Sequence, residues 1–194
     1  MQASWLVVGL GNPGPEYEWT PHNAGFRAVD RFAERRGIRI NRKECSAWVG
    51  GAGPVVLGKP QTYMNESGGS VKQLLPKYGL TPAHLLLVYD DLAFPWGELR
   101  IKPKGSAAGH NGVSSVIRAV GTQEFPRLRI GVHPGRPLAS GKDYLLSPVG
   151  RGQRGEWEQI LDRAAEAIEF ILSSGVEKAM AVFNRRAAQK EEES

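Results

Sequence analysis

Cysteine is nearly absent from this 194-residue sequence, which has only Cys45, and no long hydrophobic run occurs. One thiol cannot form an internal disulfide or build a zinc cage, which suits a reducing compartment such as the cytoplasm. Apolar runs such as residues 5–8 and 85–88 are far shorter than the roughly 18 residues that span a bilayer. No charged segment followed by an apolar one opens the chain, so we expect no secretory signal. These absences predict a cytoplasmic protein without membrane segments.

Several enzyme motifs are also missing. There is no G-x-S-x-G segment for an activated serine, and no H-E-x-x-H or comparable histidine pair for a metal. Cys45 carries no local signature of a catalytic thiol. Residues 9–14 match the dinucleotide pattern G-x-G-x-x-G, but the prolines that follow prevent a helix from opening at this loop. We therefore expect no metal and no nucleotide cofactor, and interpret the glycines as a turn that brings Asn12 to the edge of a sheet.

Positive charge is concentrated in one stretch. Residues 100–155 carry ten Lys and Arg against two Asp and Glu, a net charge of +8, whereas the whole chain carries +5. Such an asymmetry is typical of a surface that binds phosphates. A solvated basic face without a ligand would have the same composition, and charge alone leaves both interpretations open.

Hydrophobic periodicity predicts alternating strands and helices. We predict strands at residues 5–10, 85–89, 97–102 and 128–132, and two more within 47–59. We predict helices at residues 23–36, 67–75, 111–120, 157–172 and 176–183. This order implies an α/β fold, with a single domain whose mixed, mostly parallel twisted sheet lies between helices. We place the domain at residues 1–185 and expect residues 186–194 to form a disordered tail.

One histidine and one carboxylate stand out as candidates for acid–base chemistry. His22 ends a proline-rich loop at the start of a predicted helix, where the helix dipole would keep an imidazole neutral and able to accept a proton. Asp90 follows a buried strand, at the edge where open α/β sheets bind ligands. A carboxylate there could hold the far N–H of the histidine. The alternative interpretation is structural, with His22 capping a helix and Asp90 and Asp91 capping a turn.

Three asparagines lie at similar junctions between predicted elements: Asn12, Asn65 and Asn111. Neutral amides can position a carbonyl, a ribose hydroxyl or a water, and can stabilise an oxyanion. Each is weak by itself, because asparagine is common in turns. Together with His22 and Asp90, they indicate a hydrolytic centre in which a histidine activates water, a mechanism that suits an ester better than an amide.

The motifs resemble those of the bacterial peptidyl-tRNA hydrolases, in the same order and from about residue 5 to residue 183. The matching segments are Val8-Gly9-Leu10-Gly11-Asn12-Pro13-Gly14-x-x-Tyr17, Thr20-x-His22-Asn23-Ala24-Gly25-Phe26, Lys59-Pro60-x-Thr62-Tyr63-Met64-Asn65-x-Ser67-Gly68, Asp90-Asp91-Leu92, Pro95-x-Gly97, Gly109-His110-Asn111-Gly112, Phe125-x-Arg127-Leu128-Arg129-Ile130-Gly131-Val132 and Leu146-Ser147-Pro148. The resemblance implies an enzyme that cuts the ester between a peptide and the 3′ ribose of tRNA. Nothing in the sequence demands more than a monomer.

The resemblance also implies roles for individual residues. His22 would be the catalytic base and Asp90 its orienting partner, while the amides of Asn12, Asn65 and Asn111 would hold the peptide end and the attacking water. Met64 would form an apolar wall, and Tyr17 would line the same crevice. His110 would shape the loop that presents Asn111.

The 5′ phosphate of the tRNA would be bound by cations outside the crevice. The resemblance implies this role for Lys102 and Arg129, and charge alone adds their neighbours Lys104 and Arg127. The family usually has further glycines where this chain has residues 106–108, and an acid where it has Ala93, so we expect altered loop mobility or tRNA affinity. Two other functions stay open: an RNA-binding module of the same fold without hydrolysis, and a hydrolase for other acyl esters.

Overall fold

A computed structural model of the chain describes residues 4–184, and the predicted tail at residues 186–194 lies outside this range. Within it, the structure contains one seven-stranded sheet and six α-helices. The strands are β1 Trp5–Gly9, β2 Ile40–Glu44, β3 Ala47–Ala52, β4 Val55–Pro60, β5 Leu85–Pro95, β6 Leu99–Lys102 and β7 Arg127–His133. The helices are α1 Ala24–Arg36, α2 Gly68–Lys77, α3 Asn111–Val120, α4 Gly141–Leu145, α5 Arg154–Ser174 and α6 Val176–Phe183. No helix in the described range combines the length and the apolar character needed to cross a membrane.

The sheet is mixed and mostly parallel, as predicted. Its order is β2-β3-β4-β1-β5-β7-β6, and the central pairs β4–β1, β1–β5 and β5–β7 are parallel. The pairs β2–β3, β3–β4 and β6–β7 are antiparallel, so only β3 and β6 run against the other strands. The carboxyl ends of β1, β5 and β7 therefore meet at one edge, where open α/β sheets bind their ligands.

Two hydrophobic layers enclose the sheet. Helices α1, α5 and α6 bury one face, and Trp157 and Phe32 are the largest side chains of that core. Helices α2 and α3 cover part of the other face through Val71, Leu74 and Val113, among others. The strand residues alternate between the two layers, because successive side chains of a strand point to opposite faces.

Two elements were not predicted from the sequence. The edge strand β2 has the sequence Ile-Asn-Arg-Lys-Glu and is mostly exposed, so it lacks the apolar alternation that indicates a strand. It pairs only with β3. Helix α4 has five residues and is capped by the preceding Ser140, whose side chain accepts a hydrogen bond from the Asp143 amide. One turn is too short to show a helical period.

Two predicted boundaries also move. Strand β5 continues past Tyr89 to Pro95, because it pairs with β7 as far as His133. Helix α2 runs to Lys77 and contains Pro76 in its last turn. A proline this close to the end removes only one helical hydrogen bond.

Glycines set how closely α1 approaches the sheet. A Cβ on Gly25 would lie 2.2 Å from the Val88 carbonyl oxygen, and a Cβ on Gly9 would lie 2.3 Å from the Gly25 carbonyl oxygen. The chain then passes through the 3₁₀ turns Pro15–Tyr17 and Pro21–Asn23 before α1 begins. The G-x-G-x-x-G segment therefore does not open a helix, in agreement with the sequence-based interpretation, and its first glycine serves this backbone contact.

We expect Gly25→Ala to destabilise the fold by about 3 kcal/mol, because the added methyl group meets backbone that can shift only with β1 and β5. Gly69→Ala is the matched control, since Gly69 lies in α2 with nothing near its missing Cβ. There the substitution should stabilise the helix by about 1 kcal/mol. Urea unfolding of both variants measures the difference. Equal effects of the two substitutions would refute the close-approach explanation.

Candidate functional site

A crevice of about 750 Å³ opens at the carboxyl edge of the sheet and extends over the β5–β7 face. Its walls come from the loop after β1, the turn before α2, the end of β5, the loop before α3, and α4. Most residues that the sequence nominated for the site line this crevice: Asn12, Tyr17, His22, Met64, Asn65, Asp90, Lys102, Asn111 and Arg129. Lys102 and Arg129 were expected outside the crevice, and Lys104 is not among its lining residues.

The Asp90 carboxylate lies at the centre of the site and is 1% exposed. Its Oδ2 is 2.8 Å from His22 Nδ1, and its Oδ1 is 3.0 Å from His110 Nε2. The His22 and His110 rings lie 5.2 Å apart between centroids. The link between Asp90 and His110 was not foreseen from the sequence, where His110 was assigned only to the shape of its loop.

The hydrogen bonds of His110 determine where its proton lies. Its Nδ1 accepts hydrogen bonds from the amides of Gly112 and Val113 at the start of α3, over 3.1 and 3.3 Å. In a neutral imidazole the other nitrogen carries the proton, so His110 Nε2 donates to Asp90. His22 likewise donates from Nδ1 to the second carboxylate oxygen. In the neutral form of His22, Nε2 therefore has no proton and can accept one.

For both His22 and Asp90, burial and the charge of neighbouring groups shift the pKa in opposite directions. Burial by itself would lower the pKa of His22, but the charge of Asp90 and the hydrogen bond to it raise that pKa above 6.5. Burial would raise the pKa of Asp90, yet His22 and His110 hold it well below its usual range. The helix dipole was expected to lower the pKa of His22, whereas the adjacent carboxylate raises it.

Asn23 fixes the position of Asn12, a role that the sequence analysis missed although Asn23 follows His22 directly. Its Oδ1 accepts from the Asn12 amide, and its Nδ2 donates to the Asn12 carbonyl, both over 2.9 Å. The Asn12 side chain in turn accepts a hydrogen bond from the Met64 amide through Oδ1. Because Oδ1 is occupied, the NH₂ group of Asn12 is the part of its amide that can donate to a ligand.

The other predicted residues lie on the crevice walls. Asn65 is exposed in the 3₁₀ turn Met64–Glu66, and Asn111 is exposed as the first residue of α3. Met64 is buried, and a Cβ on Gly112 would lie 2.5 Å from its sulfur, so this glycine leaves room for the methionine. Tyr17 is half-buried in the turn Pro15–Tyr17.

The two arginines of β7 behave differently. Arg129 contacts the Phe94 ring at 4.8 Å and Asp91 at 3.6 Å, and burial lowers its pKa. Arg127 is 1% exposed and donates to the carbonyls of Ser106 and Gln123, so it anchors the loop before α3. The inclusion of Arg127 among free phosphate-binding cations is therefore wrong, since charge counts do not reveal burial. Lys102 and Lys104 are exposed.

Metal binding can be tested against the donor atoms present. His22, Asp90 and His110 each offer one ligand atom, and these atoms lie within 4.8 Å of one another. A metal on His110 Nε2 would need that nitrogen deprotonated, which moves the proton to Nδ1, where two backbone amides already donate. The hydrogen bonds of the site thus favour an acid–base centre over a metal centre.

The fold and the site together define an α/β protein with a histidine–carboxylate centre at the carboxyl edge of its sheet. The model of the peptidyl-tRNA hydrolase family matches residues 6–192. The peptidyl-tRNA hydrolase of Solibacter usitatus is 49% identical, over 94% of this chain and 95% of that protein, and that of Koribacter versatilis is 48% identical, over 93% and 92%. This chain belongs to the peptidyl-tRNA hydrolase family.

A solved structure shows the same fold. The crystal structure of peptidyl-tRNA hydrolase from Acinetobacter baumannii superposes with a TM-score of 0.85, at 31% sequence identity, and the match covers 93% of this chain and 94% of that one.

We expect the His22 imidazole to titrate above pH 6.5 in the native chain, because Asp90 stabilises its protonated form. In Asp90→Asn the charge is lost but most of the burial stays, so the midpoint should fall below that of a free histidine. NMR of the imidazole protons measures both values. A midpoint unchanged by Asp90→Asn would contradict the assigned coupling.

Proposed function

We propose that this chain hydrolyses the ester between a peptide, or an N-blocked aminoacyl group, and the 3′-terminal ribose of tRNA. One observation carries the proposal: His22 donates from Nδ1 to buried Asp90 and keeps Nε2 free toward a crevice lined by amides and cations. This arrangement can remove a proton from water and stabilise the resulting imidazolium. Membership of the family supports the choice of substrate.

The reaction would proceed in two steps at His22. Water loses a proton to Nε2 as its oxygen adds to the ester carbonyl, and the imidazolium then gives that proton to the departing ribose oxygen as the C–O bond breaks. Asp90 stabilises the charge on His22 in between, and His110 fixes the orientation of Asp90. The products are a peptide carboxylate and a tRNA with a free hydroxyl.

Neutral amides would hold the acyl group. The NH₂ group of Asn12 is free to donate because Oδ1 is occupied by the Met64 amide. We assign Asn12 to the developing oxyanion or the attacking water, and exposed Asn65 and Asn111 to the peptide end. Met64 would pack against the acyl chain and Tyr17 against the opposite wall. Uncharged donors suit this task, since they can stabilise an oxyanion without lowering the pKa of the base as a nearby cation would.

Lys102 and Arg129 would bind phosphates of the tRNA. Both line the crevice. Arg129 lies on β7 directly opposite Tyr89, and Tyr89 immediately precedes Asp90 on β5.

All residues of the proposed mechanism come from one chain. We therefore propose that a monomer suffices. We further propose that no metal or other cofactor takes part, since the hydrogen bonds of His110 disfavour a metal at this site, and that the enzyme acts on tRNA in the cytoplasm.

His22→Ala should lower turnover by about 10²- to 10⁴-fold, the usual contribution of a general base, with tRNA binding largely retained. Release of N-acetyl-aminoacyl groups from charged tRNA measures turnover, and tRNA binding is measured separately. His84→Ala is the control, because His84 is exposed at the start of β5, the opposite edge of the sheet. A native rate of turnover in His22→Ala would show that His22 is not the general base. If the native chain binds tRNA without turnover, the RNA-binding alternative is favoured.

Lys102→Ala should raise KM several-fold, leave kcat nearly unchanged and make the dependence of log KM on log salt shallower by about 0.7 to 0.9 for each lost phosphate contact. Arg129→Ala should act in the same direction. Lys178→Ala removes an exposed lysine from α6 and should leave the salt dependence unchanged. A native salt slope in Lys102→Ala would argue against phosphate binding and for a hydrolase of other acyl esters.

A further inference from the structure

The residues that line the crevice follow one another in a fixed order along the strands. In the β6–β7 ladder Lys102 lies opposite Arg127, and in the β5–β7 ladder Arg127 lies opposite Leu87. Asp90 is three residues further along β5, a distance of about 10 Å at the usual rise of a strand. The exposed cation Lys102 therefore lies at one end of the crevice, and the His22–Asp90 centre lies further along.

Beyond Asp90, three leucines line the crevice. Leu92 is two residues past Asp90 on β5 and packs at the edge of the α1–α5 core, as does Leu145 of α4. Leu146 follows directly, and all three side chains are half-buried and line the crevice. They form an apolar wall on the side of the catalytic centre that faces away from Lys102.

Hydrogen bonds hold this wall beside the catalytic turn. The Tyr144 hydroxyl donates to the Val132 carbonyl over 2.6 Å, which ties α4 to the end of β7. After α4, the Val149 amide donates to the Trp19 carbonyl over 2.8 Å, three residues before His22. A group attached to the ester at His22 and pointing away from the cations would meet these leucines.

The acids at this end are already engaged. Asp90 is bound by two histidines, and Asp91 accepts from the Ala93 amide over 2.8 Å and faces Arg129. Ala93 is exposed on the crevice wall and has no charge, and Lys142 adds an exposed cation. A cationic side chain bound here would find a lysine and no unengaged carboxylate among the described lining residues.

We propose that Leu92, Leu145 and Leu146 form a subsite for an apolar side chain on the peptide residue that carries the ester, and that uncharged Ala93 makes this subsite disfavour cationic side chains. The proposal rests on the proposed function, because the ester defines the direction of the substrate. With the tRNA phosphates at Lys102 and the carbonyl at His22, the acyl group extends toward the leucines.

The test compares N-acetyl-leucyl and N-acetyl-lysyl esters on one and the same tRNA body. We expect kcat/KM of the native chain to be about tenfold higher for the leucyl ester, as burying an apolar side chain allows. Ala93→Asp should reduce this ratio about two- to fivefold, since a carboxylate near the lysyl ammonium favours that substrate. Ala83→Asp makes the same change at an exposed residue on the opposite edge of the sheet and should leave the ratio unchanged.

Equal kcat/KM values for the two esters in the native chain would overturn the subsite. The same conclusion would follow if Ala93→Asp kept the native ratio, or if Ala83→Asp changed it equally. Release of neither ester by the native chain would instead contradict the proposed hydrolase function, and the subsite would fall with it.

Discussion

The buried carboxylate of Asp90 imposes the constraint on which the site depends. An ionised carboxylate without partners in the interior would cost several kcal/mol, so each oxygen needs a donor. The two donors come from separate parts of the chain: His22 from the turn before α1 and His110 from the start of α3. Three elements that are distant in sequence therefore meet at one side chain, and this meeting orients both imidazoles.

The same constraint explains the close backbone packing around the site. His22 can reach Asp90 only if the start of α1 lies directly against β1 and β5, and Gly9 and Gly25 allow that approach. Asn23, the next residue, binds the backbone of Asn12 on both sides. The histidine and the first asparagine are thus held by neighbouring residues of one short turn, so their relative positions do not depend on flexible side chains alone.

Charge is distributed unevenly along the crevice, and this gives the substrate a direction. Lys102 and Arg129 lie over the β6–β7 side, the neutral amides and the acid–base pair lie at the carboxyl edge, and three leucines and Lys142 lie beyond it. A peptidyl-tRNA has the same order of chemistry: phosphates, an ester and a largely uncharged peptide. The match between these two orders supports a hydrolase for this ester over one for small esters.

Most of the fold was predictable from the sequence because it rests on local patterns. Apolar runs and helical periods predicted β1, β7, α1, α3, α5 and α6 close to their observed bounds. Strand β2 and helix α4 were not predicted, because β2 is polar and α4 is a single turn. The predicted end of strand β5 at Tyr89 was too early. Its extension to Pro95 depends on pairing with β7, and the sequence of one strand does not reveal its pairing partner.

The sequence by itself determined which residues could do chemistry, since residue type and motif order single out His22, Asp90 and the three asparagines. Only the tertiary structure decided how they act. It made His110 a second donor to Asp90, raised the pKa of His22 against the effect expected from a helix dipole, and buried Arg127 as a loop anchor while leaving Lys102 exposed. The physical reason is that burial and through-space charge depend on distances between residues far apart in the chain, which a linear pattern does not contain.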